Sequence, residues 1–216
     1  MNFLCFFAIS VDGFSFLRYN EYEKIPERKE HMIHPFLHLG TILRHRHKVI
    51  SHCFRVGIGW QGLRHDLSKF SPTEFWAGVK YYQGTRSPNE RERELFGYSA
   101  AWLHHKGRNR HHFEYWNDLN PATKMYEPVK MPLRYVKEMF CDRIAASKIY
   151  QKQNYTDQHP LQYFTRGNAR KKMHADTADL LEDWLTRLSR DGESATFAHI
   201  KRIPNDSDYG GTKQNQ

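Results

Sequence analysis

The chain has 216 residues, of which 39% are hydrophobic and 14% aromatic, which excludes a disordered polypeptide and allows one domain with a real core. Three cysteines at wide spacing exclude a disulfide framework and a thiolate zinc site and fit a reducing cytosol, so a cytoplasmic protein is expected. A net charge of +9 favours anionic partners, and fourteen histidines are many for this length.

No apolar run approaches the length of a membrane span, so no membrane partner is expected. Phe3 to Ile9 is apolar but short, lacks a preceding basic residue and is soon followed by Asp12, unlike a signal peptide. Met32 opens the patterned part of the chain. Residues 1–31 are either an N-terminal extension or the product of a start assigned too early.

From Pro35 to Val56 the spacing predicts a helix whose apolar face carries Phe36, Leu39, Leu43, Ile50 and Phe54, with Gly57 as its stop. His38, His45 and His52 recur every seven residues opposite that face and are expected in solvent. His47 falls inside it, as a hydrogen-bonded core histidine or a metal ligand. After a glycine-containing turn comes Leu63-Arg64-His65-Asp66-Leu67-Ser68-Lys69. His65 and Asp66 offer a nitrogen and an anionic oxygen side by side, a pairing suited to a borderline divalent metal. If the segment is helical, Lys69 lies one turn on, where its ammonium could meet a phosphate. Taken alone, the pair reads as a solvated helix face.

Ser71-Pro72-Thr73-Glu74 and Ser87-Pro88-Asn89-Glu90 are two helix starts, each with a serine cap, a proline in first position and a glutamate after it. The first helix is expected to reach Gln83. The second is expected to run unbroken through Ala100 and Trp102 to His105, with Gly107 ending it. His104, His105, His111 and His112 then crowd a predicted helix–turn–helix in which Asn109 caps the second helix. They either converge from two helix ends or belong to a basic loop that touches phosphates. Asn120 to Met131 is expected to be a loop. A long helix from Pro132 to Gln151 has Leu133, Val136, Phe140 and Ile144 on one face and Arg134, Lys137 and Lys148 as its polar stripe. Asp142 lies off that stripe among small and apolar residues, and so calls for an arginine such as Arg143 or a metal. A helical turn at His159-Pro160, helices over 176–190 and 193–203, and a flexible tail over 204–216 complete the chain. No glycine-rich phosphate loop or nucleophile elbow occurs.

The order His47, His65-Asp66, the histidines 105, 111 and 112, then Asp142 resembles the HD superfamily of metal-dependent phosphohydrolases. The segment from Leu63 to Lys69 is similar to that family's His-Asp-hydrophobic-small-Lys stretch. Residues 32–203 as a whole also resemble a bacterial family of unknown function. The superfamily resemblance implies an all-α, single-domain, HD-like bundle over 32–203, with a metal held by His47, His65, Asp66 and Asp142. It implies that His105, His111 and His112 complete a second metal or bind substrate phosphate. Lys69 and Asp66 would be catalytic, with a metal-activated water attacking the phosphorus of a nucleotide or other phosphorylated small molecule. Nitrogen and oxygen ligands admit Mn, Fe, Co, Ni or Zn. Lys106 follows the paired histidines where some HD phosphodiesterases have Glu, and no Gly-Tyr-Pro follows, which argues against a cyclic-dinucleotide phosphodiesterase. Two alternatives remain. One is a non-enzymatic nucleic-acid-binding module using Arg108, Arg110, His111, His112, Tyr115 and Trp116. The other is a helical protein with a structural metal.

Overall fold

The computed structural model describes residues 34–211; the segment 1–31 and the last five residues of the tail lie outside this range. The described part is all-α apart from one small hairpin. Its helices are α1 Pro35–Arg55, α2 Gly59–Gly62, α3 Pro72–Lys80, α4 Pro88–Phe96, α5 Ala100–Lys106, α6 Leu133–Gln151, α7 His159–Arg166 and α8 Ala175–Arg202. The hairpin pairs β1 Asn117–Leu119 with β2 Tyr126–Pro128 antiparallel; β2 falls within the stretch expected to be a loop and β1 just before it. No described helix is long and apolar enough to cross a membrane.

Helix α6 is the axis of the bundle. It lies along α1 and also packs on α7 and α8. Leu133, Val136, Phe140 and Ile144 are fully buried with Val49, Cys53 and Val56 from α1 and its end, and with Leu181, Trp184, Leu185 and Leu188 of α8. Lys137 does not lie on a polar stripe: it is 1% exposed. Its Nζ donates to Val56 O (3.4 Å), Ile203 O (2.7 Å) and Asn205 Oδ1 (2.8 Å). One buried ammonium thus satisfies carbonyls at the C-terminal ends of α1 and α8, where the helix dipoles favour positive charge. Residues 204–211, expected to be flexible, return over the body of the protein. There Tyr209 packs on the core and its hydroxyl donates to Met131 O. Helix α8 is kinked at Gly192, the boundary expected between two helices.

The single helix expected from Pro88 to His105 is two, α4 and α5. Gly97 (φ 77°) takes the left-handed conformation that ends α4. Ser99 then caps α5 by accepting the Trp102 N–H (3.0 Å). Helix α1 buries the face opposite to the expected one. His38, Ile42, His45, Val49, His52 and Cys53 are buried, within an arc of about 100° on the helix. Phe36, Leu43 and Phe54 are 85%, 50% and 56% exposed. The physical reason lies in what faces α1. Its second half meets the apolar core, whereas its first half meets acidic and aromatic side chains that suit imidazoles. His38 sits against the Phe75 and Tyr82 rings, each at 5.7 Å. It passes over Gly78, where a Cβ would come within 2.1 Å of its Nε2. His52 shares a hydrogen bond with Cys141 O (3.3 Å) and packs on Phe197.

Burial above all pushes His38 and His52 down to about 4, with Lys69 acting on the first and Lys148 on the second. The unfolded chain takes up these protons near the ordinary histidine value, the folded chain only near pH 4. The unfolded state therefore binds more protons between pH 6.5 and 4, and stability falls as the pH drops through that window. His52→Gln removes one of the two groups. Its urea midpoint should fall less steeply from pH 6.5 to 4.5 than that of the parent, with a full effect of at most about 3 kcal/mol. Parallel slopes would show that His52 is not held neutral.

Candidate metal centre

Six chain segments bring chemistry-bearing side chains to one place. Asp66 is at its centre. It is 1% exposed and adopts φ 53°, ψ 31°, a left-handed backbone that costs a non-glycine residue about 1–3 kcal/mol. This turn points His65 and Asp66 inward and opens a 3₁₀ turn, Leu67–Phe70, that carries Lys69 back over the carboxylate. Arg46, on the side of α1 adjoining the site, donates to the carbonyls of His65 and Leu63 and pins the turn from behind.

The two oxygens of Asp66 face different partners. Oδ2 lies 3.2 Å from His65 Nε2, 4.0 Å from His45 Nε2 and 2.7 Å from Lys69 Nζ. Oδ1 lies 3.3 Å from His105 Nε2 and 3.5 Å from His111 Nε2. Asp142, from the middle of α6, lies 2.9 Å from His45 Nε2, 3.6 Å from His65 Nε2 and 4.0 Å from His111 Nε2. His112 Nε2 is 2.8 Å from His105 Nε2.

His45, not His47, supplies the nitrogen from α1. On the helical wheel His47 lies almost opposite the buried stripe, and its side chain is exposed. The other six predicted ligand positions, His65, Asp66, His105, His111, His112 and Asp142, do converge. Lys69 stands beside them, paired with Asp66. His104 turns aside to Glu74 (2.7 Å).

Two carboxylates stand behind the imidazoles. His65 Nδ1–H donates to Glu138 Oε1 (2.9 Å), and His111 Nδ1 lies 3.3 Å from the same oxygen. His105 Nδ1–H donates to Glu74 Oε2 (2.7 Å). Held this way, each ring turns its Nε2 toward Asp66, an arrangement that orients metal-ligating histidines and raises their basicity. Glu138 is one helical turn before Asp142, so α6 delivers both carboxylates from one face. Glu74 serves the site as well as the start of α3. Neither glutamate nor His45 is marked by the sequence as a site residue. The available signals were the i, i+4 spacing of Glu138 and Asp142, and the position of His45 on the stripe of Ile42, Val49 and Cys53.

The electrostatics call for a cation. Burial favours the neutral forms, yet the Asp66 carboxyl is held well below its ordinary value by His65 and Lys69, and Asp142 by His45 and His65. Burial also opposes charge on His65, but Asp66, Asp142 and Glu138 raise it well above the ordinary histidine range. Burial, then His111 and His105, keep His112 neutral. His45 Nε2, His65 Nε2, His111 Nε2 and Asp66 Oδ1 are buried without a hydrogen bond among the described residues. Unpaired buried polar atoms are expensive, and a cluster of them beside two carboxylates fits a metal. Two ligand sets adjoin at the aspartates, His45, His65 and Asp142, and Asp66, His105, His111 and His112, and a third, His65, His111 and Glu138, lies behind them, with ligand atoms within 4.8 Å of one another in each. Asp66 stands between the two sets and could bridge a pair of ions. Cys53 and Cys141 are buried in the core, which leaves nitrogen and oxygen as the donors of both sets.

The site lines a cavity of about 970 Å³, bounded further out by Tyr82, Arg86, Arg143, Tyr150, Tyr163 and Arg166. All of the site residues fall in the part of the chain that matches a known family. The chain belongs to the Family of unknown function (DUF5662), whose sequence model matches residues 34–187. No curated protein and no solved structure matches the chain.

The choice between neighbouring histidines of α1 is open to direct test. Metal analysis of untagged protein should show His45→Ala with less than about a tenth of the parent's metal, and His47→Ala with the parent's content. The reverse order would contradict the geometry.

Proposed function

We propose that the protein is a metal-dependent phosphohydrolase acting on a phosphate ester. The observation that carries this reading is the convergence of histidine Nε2 atoms and two carboxylates on the floor of an open, cation-rimmed cavity. A divalent ion held by these residues would supply a Lewis acid that polarises a phosphoryl oxygen and makes a nucleophile of water near neutral pH. Mn, Fe, Co, Ni and Zn all suit such ligands.

The remaining roles fall to the chain itself. Glu138 and Glu74 hold the Nδ1 protons of His65 and His105 and so fix ring orientation. Lys69, on the cavity wall 2.7 Å from Asp66, can turn its ammonium to a phosphate oxygen and take up charge that grows during P–O cleavage. Arg143 follows Asp142, lines the same cavity, and its Nε has no hydrogen-bond partner among the described residues. It is suited to hold the non-bridging oxygens or the leaving group. The similarity of Leu63–Lys69 to the HD segment supports the same reading.

The alternatives fit the geometry less well. A pure nucleic-acid module would present its histidines on an open face, but His111 is buried and His112 lines the cavity. A structural metal would be closed off by protein, whereas this site fronts a large cavity.

Lys69 and Asp66 separate binding from chemistry. Lys69→Ala should keep its metal and lose about a hundredfold in turnover of a phosphate ester. Asp66→Ala should lose metal and turnover together and unfold at lower temperature, because metal binding contributes to folding free energy. Metal analysis beside a panel of phosphomonoesters and phosphodiesters reads both. Loss of metal from the Lys69 variant with retention in the Asp66 variant would reverse the assigned roles. No turnover by the metal-loaded parent on any ester would end the hydrolase reading.

A further inference from the structure

A second pocket of about 530 Å³ lies behind the metal centre, on the Nδ1 side of His111. Its floor includes His111 and Glu138, and its rim carries Arg64, Arg108, Arg110 and Arg134. All four arginines are exposed, and none forms an ion pair with a carboxylate among the described residues. Glu138, the one carboxylate lining the pocket, makes no ion pair with them. Its Oε1 accepts from His65, and its Oε2 accepts from Gln61 Nε2 (2.5 Å). Four like charges round one concavity repel one another, and an anion relieves that repulsion.

The rim is also aromatic. Trp60 stands 85% exposed at the pocket, and Tyr135 is half-buried in its wall. Arg134 lies over the Tyr135 ring at 5.1 Å, and Arg110 donates to the Tyr135 hydroxyl (3.4 Å). Planar rings interleaved with guanidinium groups suit a base and its phosphate. The volume is that of a small-molecule site, within the usual range of about 300–1,000 Å³.

We propose that this arginine pocket is a nucleotide-binding site separate from the metal cavity: the guanidinium groups take the phosphate and Trp60 stacks on the base. The nucleotide is either free or one unit of a single strand; the chemistry is common to both. The site requires no metal and does not depend on the hydrolase reading.

The test uses the full chain, with fluorescence anisotropy for a labelled single-stranded ten-mer and calorimetry for a nucleoside monophosphate. At least one of the two should bind. Arg64→Gln with Arg134→Gln should weaken that binding at least tenfold and lower the salt slope by about two. Trp60→Ala should weaken it about tenfold. Binding measured in EDTA, which removes the ion from the metal cavity, should equal binding measured without it. Thermal midpoints of the Arg and Trp variants should match the parent, since their side chains are exposed. Binding of the ten-mer alone assigns a strand, and binding of the monophosphate assigns a free nucleotide. Absence of both, parental binding by the double arginine variant, or loss of binding in EDTA overturns the proposal. Loss at the arginines without loss at Trp60 overturns the nucleotide assignment.

Discussion

The arrangement depends on a buried carboxylate that is charged. Asp66 is almost inaccessible, yet His65 and Lys69 keep it ionised. Taking an anion out of water costs several kcal/mol unless cations and hydrogen bonds replace the solvent. Around Asp66 that replacement comes from Lys69 and from imidazoles drawn from distant parts of the chain. Its left-handed backbone shows that the fold holds it there against local preference.

The bundle is built to deliver those partners. The pair of α1 and α6 is apolar at one end, where Val49, Cys53, Val136 and Phe140 are buried, and polar further along, where His45 meets Asp142. The break at Gly97 lets α5 start afresh at Ser99. The α5 end and the following turn then bring His105, His111 and His112 against Asp66. Behind them, Glu138 touches both His65 and His111. The α6 axis therefore links the front of the site, at Asp142, to the arginine pocket at the back.

Much of this was legible in the sequence, and the failures have physical causes. The all-α class followed from helix caps and apolar periodicity, and the α6 boundaries from Pro132 and the stripe that follows it. His65-Asp66, His105, His111, His112 and Asp142 were legible because each is a ligand-type residue where a bland one would serve. The face of α1 was not. Hydrophobicity put Phe36, Leu43 and Phe54 inside, whereas burial of imidazoles beside carboxylates decided otherwise. That inversion exchanged His45 for His47. Lys137 was misplaced for a related reason: on a helical wheel it is an ordinary charged residue, and only the carbonyls of two other helix ends explain its burial. Glu74 and Glu138 act through histidines, so their roles needed the three-dimensional neighbours.

We propose that Asp66 and Asp142 hold a metal together with the histidines around them. Anomalous diffraction from crystals of the metal-loaded protein, collected above and below the absorption edge of the bound metal, tests it most directly. A peak is expected about 2.0–2.2 Å from His45 Nε2, His65 Nε2 and an Asp142 oxygen, and for a pair of ions a second peak beside His105 and His111. A map without any peak in this cavity, or with the metal bound only elsewhere, would contradict it.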